Sequence, residues 1–273
     1  MMFKRYCYEF LSFIRHLPDY YRLHIRNTAK QYMPKFRGDA IFVNRDAYIL
    51  APLTSSVAYY TFMYHSAWHE GACENKIFLK LREGCNSFLD LGAEAGFYSA
   101  LFAATATEAS RIVAVDMAPA MCQVHQDTIT QNINLSGKPI DWTVHQVALS
   151  DKESNTTLSK GFASSFVNWY DTDPNRPVRF LSLNQFLQEV SFIPDLIKLD
   201  IESFEYEVIT SSMNWLVEHK PRLHLELHSQ LMRDRGKSPN ELMSQLLEHY
   251  RIVDSIPRNY QSDEISRIGL VPK

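Results

Sequence analysis

Cysteine, net charge and long apolar segments are all scarce in this sequence of 273 residues. None of its four cysteines stands at C-x-x-C spacing from another, which argues against a zinc site or a redox dithiol, and scattered thiols fit a reducing cytoplasm. No run reaches about 18 apolar residues, so no transmembrane helix is predicted. Charged residues also interrupt the N-terminus, so we expect no signal peptide and a cytoplasmic protein.

The net charge of -3 and the sequence pI of about 6.4 do not favour a nucleic-acid partner. Basic residues are nevertheless concentrated near the N-terminus, where residues 1–37 contain eight lysines and arginines but only two acids. Residues 1–36 are predicted to form one or two helices. These helices can serve as a packing arm on the main domain or on a second subunit of a homo-oligomer. Alternatively, they can form an amphipathic basic helix that contacts a membrane surface.

Short apolar strands alternate with helices after residue 85. The predicted strands are 87–91, 111–116, 141–149, 178–183, 194–200, 222–228, 251–256 and 267–272. The predicted helices include 118–134 and 203–217, and a β-hairpin at 40–50 precedes a helical segment at 55–83. This order predicts an α/β, Rossmann-like fold with a mostly parallel seven-stranded sheet and helices on both faces. We expect residues 1–75 to be a helical and hairpin extension and residues 76–273 to be the ligand-binding domain.

The strongest motif is FLDLGAEAGF at 88–97, between a predicted strand and a predicted helix. Gly92 permits a tight turn out of the strand, and Gly96 lets the helix start approach the sheet and a ligand closely. A dinucleotide-binding loop has a glycine where Glu94 stands here. A carboxylate at that place repels a pyrophosphate and can accept a hydrogen bond from an ammonium group. S-adenosylmethionine, which has an ammonium and a sulfonium but no phosphate, is therefore favoured over NAD.

Acidic and apolar residues at the following strand ends extend this predicted nucleoside site. Asp116 ends the second strand and can accept hydrogen bonds from both ribose hydroxyls, although it could instead only cap the next helix. Asp90 could likewise be only a strand-end turn carboxylate. Val147 and Ala148 stand where residues often flank an adenine ring, although ordinary core packing explains them nearly as well. The predicted cofactor-binding residues are Asp90, Gly92, Ala93, Glu94, Gly96, Asp116, Met117, Val147 and Ala148.

Four sequence blocks between Phe88 and His228, about half of the chain, together resemble the FkbM-type methyltransferase family. These blocks are FLDLGAEAGFYSALFA, IVAVDMAPAMCQVHQDTITQNINLSG, VALSDKESNTTL and LIKLDIESFEYEVI. The resemblance implies a class I methyltransferase fold, S-adenosylmethionine as the methyl donor, and O-methylation of a hydroxyl on a sugar, glycolipid or secondary metabolite. The chain departs from the family pattern in having Glu94 for the usual Asn, Asp116 for the usual Glu, and Ser203 for the usual Gly. Ser203 and the following Phe204 lie at the predicted pocket rim, where they bear on the choice of acceptor.

Methyl transfer to a hydroxyl needs a general base at the edge where the strands end. The predicted catalytic residues are His228, Glu226, Asp200 and Glu202. Strand alternation puts His224, Glu226 and His228 on one face, which is therefore predicted to line a cavity, at least at the carboxyl end of the strand, to which Glu226 and His228 are nearest. His228 is the preferred base because imidazole titrates near neutrality. Lys198 lies in a buried strand and is predicted to pair with one of these carboxylates.

Three further interpretations stay open from the sequence. The four predicted catalytic side chains are suitable ligands for a divalent metal, but sequence does not give their geometry and no metal is assigned. A nucleic-acid methyltransferase that uses the basic N-terminus is less favoured, because no [DN]-P-P-[FYW] motif is present. A non-catalytic module that binds S-adenosylmethionine is the third alternative. Aromatic residues at 162–170 and 59–68 are candidates to cover the acceptor.

Overall fold

The structure is a computed structural model, and it describes residues 40–43, 47–52, 74–157, 177–257 and 265–273. The predicted helices at 1–36 and the aromatic residues at 59–68 and 162–170 lie outside these ranges. Among the described residues, no helix is both long and apolar enough to cross a membrane.

Seven strands form the main sheet. They are β3 (Ser87–Leu91), β4 (Ser110–Asp116), β5 (Ile140–Gln146), β9 (Leu196–Leu199), β10 (Arg222–Leu227), β11 (Tyr250–Ile256) and β12 (Ser266–Pro272), in the spatial order β11-β12-β10-β9-β3-β4-β5. The five strands from β10 to β5 pair in parallel, whereas β12 runs antiparallel to both β10 and β11. The predicted Rossmann-like architecture with a mostly parallel seven-stranded sheet is confirmed.

Two smaller sheets accompany it. The hairpin predicted at 40–50 is confirmed as β1 (Ala40–Phe42) paired with β2 (Tyr48–Leu50). The other sheet has three strands, β6 (Ala148–Ser150), β7 (Ser154–Thr157) and β8 (Pro177–Ser182), in the order β6-β8-β7. The single strand predicted at 141–149 is therefore wrong, because the chain leaves the main sheet after Gln146 and pairs with β8 instead.

The described helices are α1 (Glu74–Arg82), α2 (Phe97–Ala104), α3 (Pro119–Asn132), α4 (Leu183–Glu189), α5 (Glu205–Ser211), α6 (Met213–His219), α7 (Ser229–Asp234) and α8 (Pro239–His249). Helix α3 matches the helix predicted at 118–134. The continuous helix predicted at 203–217 is wrong, because Ser212 leaves the helical conformation (φ -111°, ψ 11°) and separates α5 from α6.

The main sheet has an apolar core on each face. Side chains such as Leu89, Ile197 and Leu225 pack in one cluster with α4 to α8. On the opposite face, Phe88 and Leu196 pack in a second cluster with α1, α2 and α3. Because side chains alternate along a strand, the polar residues at even positions of β3, β9 and β10 lie on this second face. On β3 and β9 that face is apolar where the strands begin and polar toward their carboxyl ends, whereas β10 is polar along its whole length on this face. The polar carboxyl ends mark the candidate site.

Candidate active site

The glycine loop after β3 is held by contacts with two neighbouring strands. The backbone N–H groups of Gly92 and Ala93 both donate to the carbonyl of Val115 at 3.0 Å. Gly92 has a left-handed φ of +72°, and a Cβ built on it would lie 1.7 Å from the carbonyl oxygen of Asp200. Glycine is required here because the loop after β3 touches the loop after β9, which joins the predicted cofactor loop to the predicted catalytic segment.

Gly96, which begins α2, is required for a similar reason. Its φ is +85°, and an added Cβ would lie 2.7 Å from Nε2 of His125 on α3. This nitrogen accepts a hydrogen bond from the indole of Trp142 at 3.1 Å. Burial lowers the pKa of His125 to about 3, so the ring is neutral. The imidazole therefore serves as a fixed packing surface beneath the glycine loop.

Asp116 accepts backbone hydrogen bonds from the segments on both sides of the predicted nucleoside site. Its Oδ1 accepts a hydrogen bond from Ala118 N–H at 2.8 Å, and its Oδ2 accepts one from Glu94 N–H at 2.9 Å. Glu94 has a left-handed φ of 48°, which is unusual for a residue with a side chain. Burial raises the pKa of Asp116 to about 6. Asp116 thus fixes the conformation of Glu94, and each oxygen keeps a lone pair that can accept from a ribose hydroxyl.

Asp90 is buried at the carboxyl end of β3. Its Oδ2 accepts a hydrogen bond from the Ser99 hydroxyl at 2.6 Å, while Oδ1 has no hydrogen-bonding partner among the residues that the structure describes. Burial raises the pKa of this carboxyl group. A buried acceptor without a partner fits a ligand that brings a donor, such as the ammonium group of S-adenosylmethionine.

The predicted adenine-flanking residues divide into two groups. Met117 and Ala148 pack in a small apolar cluster with Val178, Phe180 and Phe204, which is a suitable wall for an adenine ring. Val147 instead packs in the main core on the other side of the strand, so the ordinary core explanation holds for it. The structure therefore brings Met117 and Ala148 together and leaves Val147 out of the site.

Lys198 is the centre of a buried ionic network. Parallel pairing aligns it with Asp90 on one side and His224 on the other. Its ammonium lies 2.8 Å from Oδ2 of Asp200, which confirms the predicted carboxylate partner, and 5.1 Å from the ring centre of Tyr98. Burial lowers the pKa of Lys198, but the charges of Asp200, Asp90 and Glu226 outweigh this effect and raise it.

His224 is closed off from the carboxyl end of β10, where the cavity is predicted. This side chain is 1% exposed and packs against the rings of Phe78 and Tyr98. Burial lowers the pKa of His224 to about 4, so the ring is neutral. On this face of β10, His224 is therefore part of the closed interior, and only the residues nearer the carboxyl end of the strand can belong to the site.

Arg267, on the neighbouring strand β12, links two buried carboxylates of this network. Its Nη2 lies 2.8 Å from Oε1 of Glu226, and its Nε lies 2.7 Å from Oε2 of Glu74. Glu226 and Arg267 are directly opposite each other in the antiparallel pair of β10 and β12. One guanidinium thus binds carboxylates from β10 and α1, which fixes the α1 helix over the polar end of the sheet.

Asp200, Glu202 and Glu205 surround His228 just beyond the end of β10. Nδ1 of His228 lies 3.2 Å from Oε1 of Glu205, whereas Nε2 lies 3.8 Å from Oδ1 of Asp200 and 3.7 Å from Oε2 of Glu202. Burial lowers the pKa of His228, but the hydrogen bond with Glu205 and the three negative charges outweigh it and raise it to about 10. His228 was preferred as the base because imidazole titrates near neutrality, but in this structure its pKa is well above neutrality.

The segment that carries Glu202 has an unusual backbone. Glu202 and Ser203 have successive left-handed φ values of 55° and 81°. Arg235 supports this turn by donating from Nη1 to the carbonyl and hydroxyl oxygens of Ser203, both at 3.0 Å. The Arg235 guanidinium also lies 3.8 Å from the ring centre of Phe204. The residue that replaces the family's glycine is thus held in a glycine-like conformation by an arginine more than 30 residues away in the sequence.

The structure brings Asp200, Glu202 and His228 together, as the sequence predicts, and places Glu226 nearby in the ionic network. Sequence reasoning missed the parts played by Arg267, Arg235 and Glu74. Glu205 is a further candidate base from the sequence, but an acid in a first helical turn is explained equally well by a favourable interaction with the helix dipole.

The chain is similar to one known protein family and to several solved structures. The family model described as "Methyltransferase FkbM domain" matches residues 90–252, more than half of the chain. The solved structure of methyltransferase FkbM from Methylobacillus flagellatus KT is 16% identical with a TM-score of 0.45, and the match covers 69% of this chain and 43% of that one. The chain thus spans less than half the length of the Methylobacillus protein. An O-methyltransferase from Bacillus cereus, solved in complex with SAH, is 10% identical with a TM-score of 0.46, covering 90% of this chain and 97% of that one. No curated protein matches the sequence.

Proposed function

The chain belongs to the FkbM methyltransferase family, whose methyl donor is S-adenosylmethionine, and we propose that it methylates a hydroxyl oxygen of a sugar, glycolipid or secondary metabolite. The observation that carries the proposal is the contact between Gly92 and the backbone of Asp200. This contact puts the acidic cluster around His228 directly beside the loop that would bind the donor. An acceptor held by the cluster would therefore be next to the donor, which is the main requirement for an in-line transfer.

The donor would be bound by residues on both sides of the glycine loop. Asp90 offers its buried Oδ1 to the donor's ammonium, and Asp116 offers lone pairs to the ribose hydroxyls. Met117 and Ala148 supply an apolar surface for the adenine. When bound, S-adenosylmethionine supplies an electrophilic methyl group on a positively charged sulfur. The surplus of carboxylates at this edge of the sheet favours such a cation.

Glu202 is the best placed general base among the predicted catalytic residues. Its side chain is 31% exposed, compared with 24% for Asp200 and 8% for Glu226. Asp200 is also engaged by the ammonium of Lys198, and Glu226 by the guanidinium of Arg267. Glu202 can therefore reach an acceptor hydroxyl and take its proton, while the other three residues fix the electrostatics of the site.

The decisive experiment compares Glu202→Gln with Glu218→Gln, a matched change at an exposed position on α6. Donor binding is measured by calorimetry, and methyl transfer is measured on a panel of hydroxylated acceptors. We expect both variants to bind the donor, while Glu202→Gln alone loses about 10²- to 10⁴-fold in turnover. Asp90→Ala and Asp116→Ala should weaken donor binding. Unchanged turnover in Glu202→Gln would exclude Glu202 as the base, and donor binding without transfer to any acceptor would favour a non-catalytic module.

The remaining sequence-based expectations stay predictions. They are the division at residue 75, the cytoplasmic location, the contact of residues 1–37 with a membrane surface, and an assembly of several copies.

A further inference from the structure

Three side chains at the carboxyl end of the sheet lie close enough together to be candidate ligands of one metal ion. One ligand atom each from Asp200, Glu226 and His228 lies within 4.8 Å of the others. Nε2 of His228 is 3.8 Å from Oδ1 of Asp200. This separation exceeds a hydrogen bond, but it falls in the range of roughly 3 to 4 Å expected between two ligands that each lie about 2.1 Å from one ion. We propose that Asp200, Glu226 and His228 bind a divalent metal ion.

The surroundings of His228 support this proposal independently. Metal-binding histidines commonly hydrogen-bond a carboxylate through the other ring nitrogen, which fixes the tautomer and the ring orientation. Here Nδ1 of His228 lies 3.2 Å from Oε1 of Glu205, a fully buried carboxylate that also accepts from the N–H of Ile201 at 2.8 Å. Glu205 therefore holds the ring so that Nε2 is directed toward Asp200 and Glu202.

The two carboxylates are oriented in the same manner. Lys198 binds Oδ2 of Asp200, and Oδ1 is the oxygen closer to His228. Arg267 binds Oε1 of Glu226. Each proposed ligand thus has one polar atom engaged by a neighbouring side chain, which restricts the rotation of its own side chain. A site whose ligands are fixed before binding loses less conformational entropy when the ion arrives.

The charge balance also favours a cation. The network contains more carboxyl groups (Glu74, Asp200, Glu202, Glu205 and Glu226) than basic side chains (Lys198, Arg267 and His228), and His228 releases its proton when its nitrogen binds an ion. One imidazole with two carboxylates suits Mn²⁺, Fe²⁺ or Zn²⁺ better than Ca²⁺, which prefers oxygen ligands alone.

The role of the ion in catalysis rests on the proposed function. An ion at this place would coordinate the acceptor oxygen and stabilise the negative charge that develops when its proton leaves. Glu202, whose Oε2 lies 3.7 Å from Nε2 of His228, would be beside the coordinated hydroxyl and would accept that proton. The acceptor would then be a compound with a hydroxyl able to bind a metal, alone or together with a neighbouring oxygen.

The test uses Mn²⁺ alone, without donor or acceptor. The full chain is treated with a chelator, dialysed and titrated with Mn²⁺, with free ion followed by electron paramagnetic resonance. We expect one saturable site per chain and a histidine-nitrogen coupling in the pulsed spectrum of the unaltered protein. Asp200→Asn and His228→Gln should abolish the site, and Glu205→Gln should weaken it about 10- to 100-fold. Glu218→Gln is the control and should bind like the unaltered protein.

The proposal would be overturned if the unaltered protein showed no saturable Mn²⁺ binding, or bound Mn²⁺ without a histidine-nitrogen signal. This outcome does not depend on whether the variants fold. Mn²⁺ affinity that is unchanged in folded Asp200→Asn and His228→Gln would overturn it as well. Donor binding is measured separately on the metal-free protein. A failure there would count against the proposed methyltransferase function, whereas the metal site would still be judged on the Mn²⁺ titration.

Discussion

Replacing Gly92 with alanine measures how tightly the donor loop is pressed against the acidic segment. Gly84 provides a matched control, because the two glycines have nearly the same backbone conformation, with φ values of +72° and +74°. They differ in what an added Cβ would meet. At Gly92 it would lie 1.7 Å from the carbonyl oxygen of Asp200, whereas at Gly84 it would meet no atom within 4 Å among the residues that the structure describes, apart from the adjacent residues of the chain.

The expected loss of stability follows from these two contacts. A left-handed conformation costs a residue with a Cβ about 1 to 2 kcal/mol, and Gly84→Ala should lose only this amount. Gly92→Ala must in addition move backbone atoms in a packed region, which typically adds about 1 to 3 kcal/mol. The free energy of unfolding of Gly92→Ala should therefore fall by about 2 to 5 kcal/mol. The affinity of Gly92→Ala for S-adenosylmethionine should fall too, because the displaced carbonyl oxygen belongs to Asp200, beside the predicted donor loop.

Urea denaturation followed by circular dichroism gives the free energies of unfolding of both variants, and calorimetry gives the affinities for the donor. The reasoning requires Gly92→Ala to be the less stable variant and the only one with weakened donor binding. Equal losses of stability in the two variants would show that the contact with Asp200 is not tight. Donor affinity that is unchanged in Gly92→Ala would show that the contact does not support the nucleoside site.

Three further predictions concern buried polar groups. Because burial raises the pKa of Asp116 to about 6, its carboxylate is lost below that pH, so donor affinity measured by calorimetry should fall about tenfold from pH 7 to pH 5. Asp116→Asn should bind weakly at both pH values; a steep pH dependence retained in this variant would assign the titration to another group. Arg267→Met leaves two buried carboxylates without their cation and should cost about 3 to 5 kcal/mol in urea denaturation, and a neutral result would mean that the carboxylates take up protons at no cost. Trp142→Phe removes the donor to His125 and should cost about 1 to 3 kcal/mol in the same assay, and a loss below that range would show that the hydrogen bond adds little.

The sequence predicted the strands of the central sheet well, because runs such as 87–91 and 194–200 are largely apolar and have clear ends. It could not predict where the strand at 141–149 divides. The apolar pattern continues across Val147, and the division depends on which strand lies alongside: β4 for residues 140–146 and β8 for residues 148–150. Pairing partners that are distant in the sequence leave no local signal.

The site residues divide in the same way: those marked by a local sequence pattern were predicted, and those that depend on contacts with distant segments were missed. Asp200, Glu202 and His228 were predictable because they follow apolar strands, and strands in a parallel sheet end at one edge. Arg267 and Glu74 were not predictable, because they take part only through ion pairs between distant parts of the chain. Arg267 pairs with Glu226, and Glu74 pairs with Arg267. The pKa of His228 was not predictable for a related reason, since three carboxylates from another segment raise it.

The buried ionic network also determines how the central strands align. Asp90, Lys198 and His224 lie side by side on β3, β9 and β10, and Glu226 lies opposite Arg267 on β12. If β10 slipped by one residue, its leucines would enter the polar face, and Glu226 would enter the apolar core without a cation. Uncompensated burial of that charge would be very costly, so misaligned sheets are strongly disfavoured. The charges that serve the site thus also select one alignment of the strands from which the site is built, because they make the other alignments much less stable.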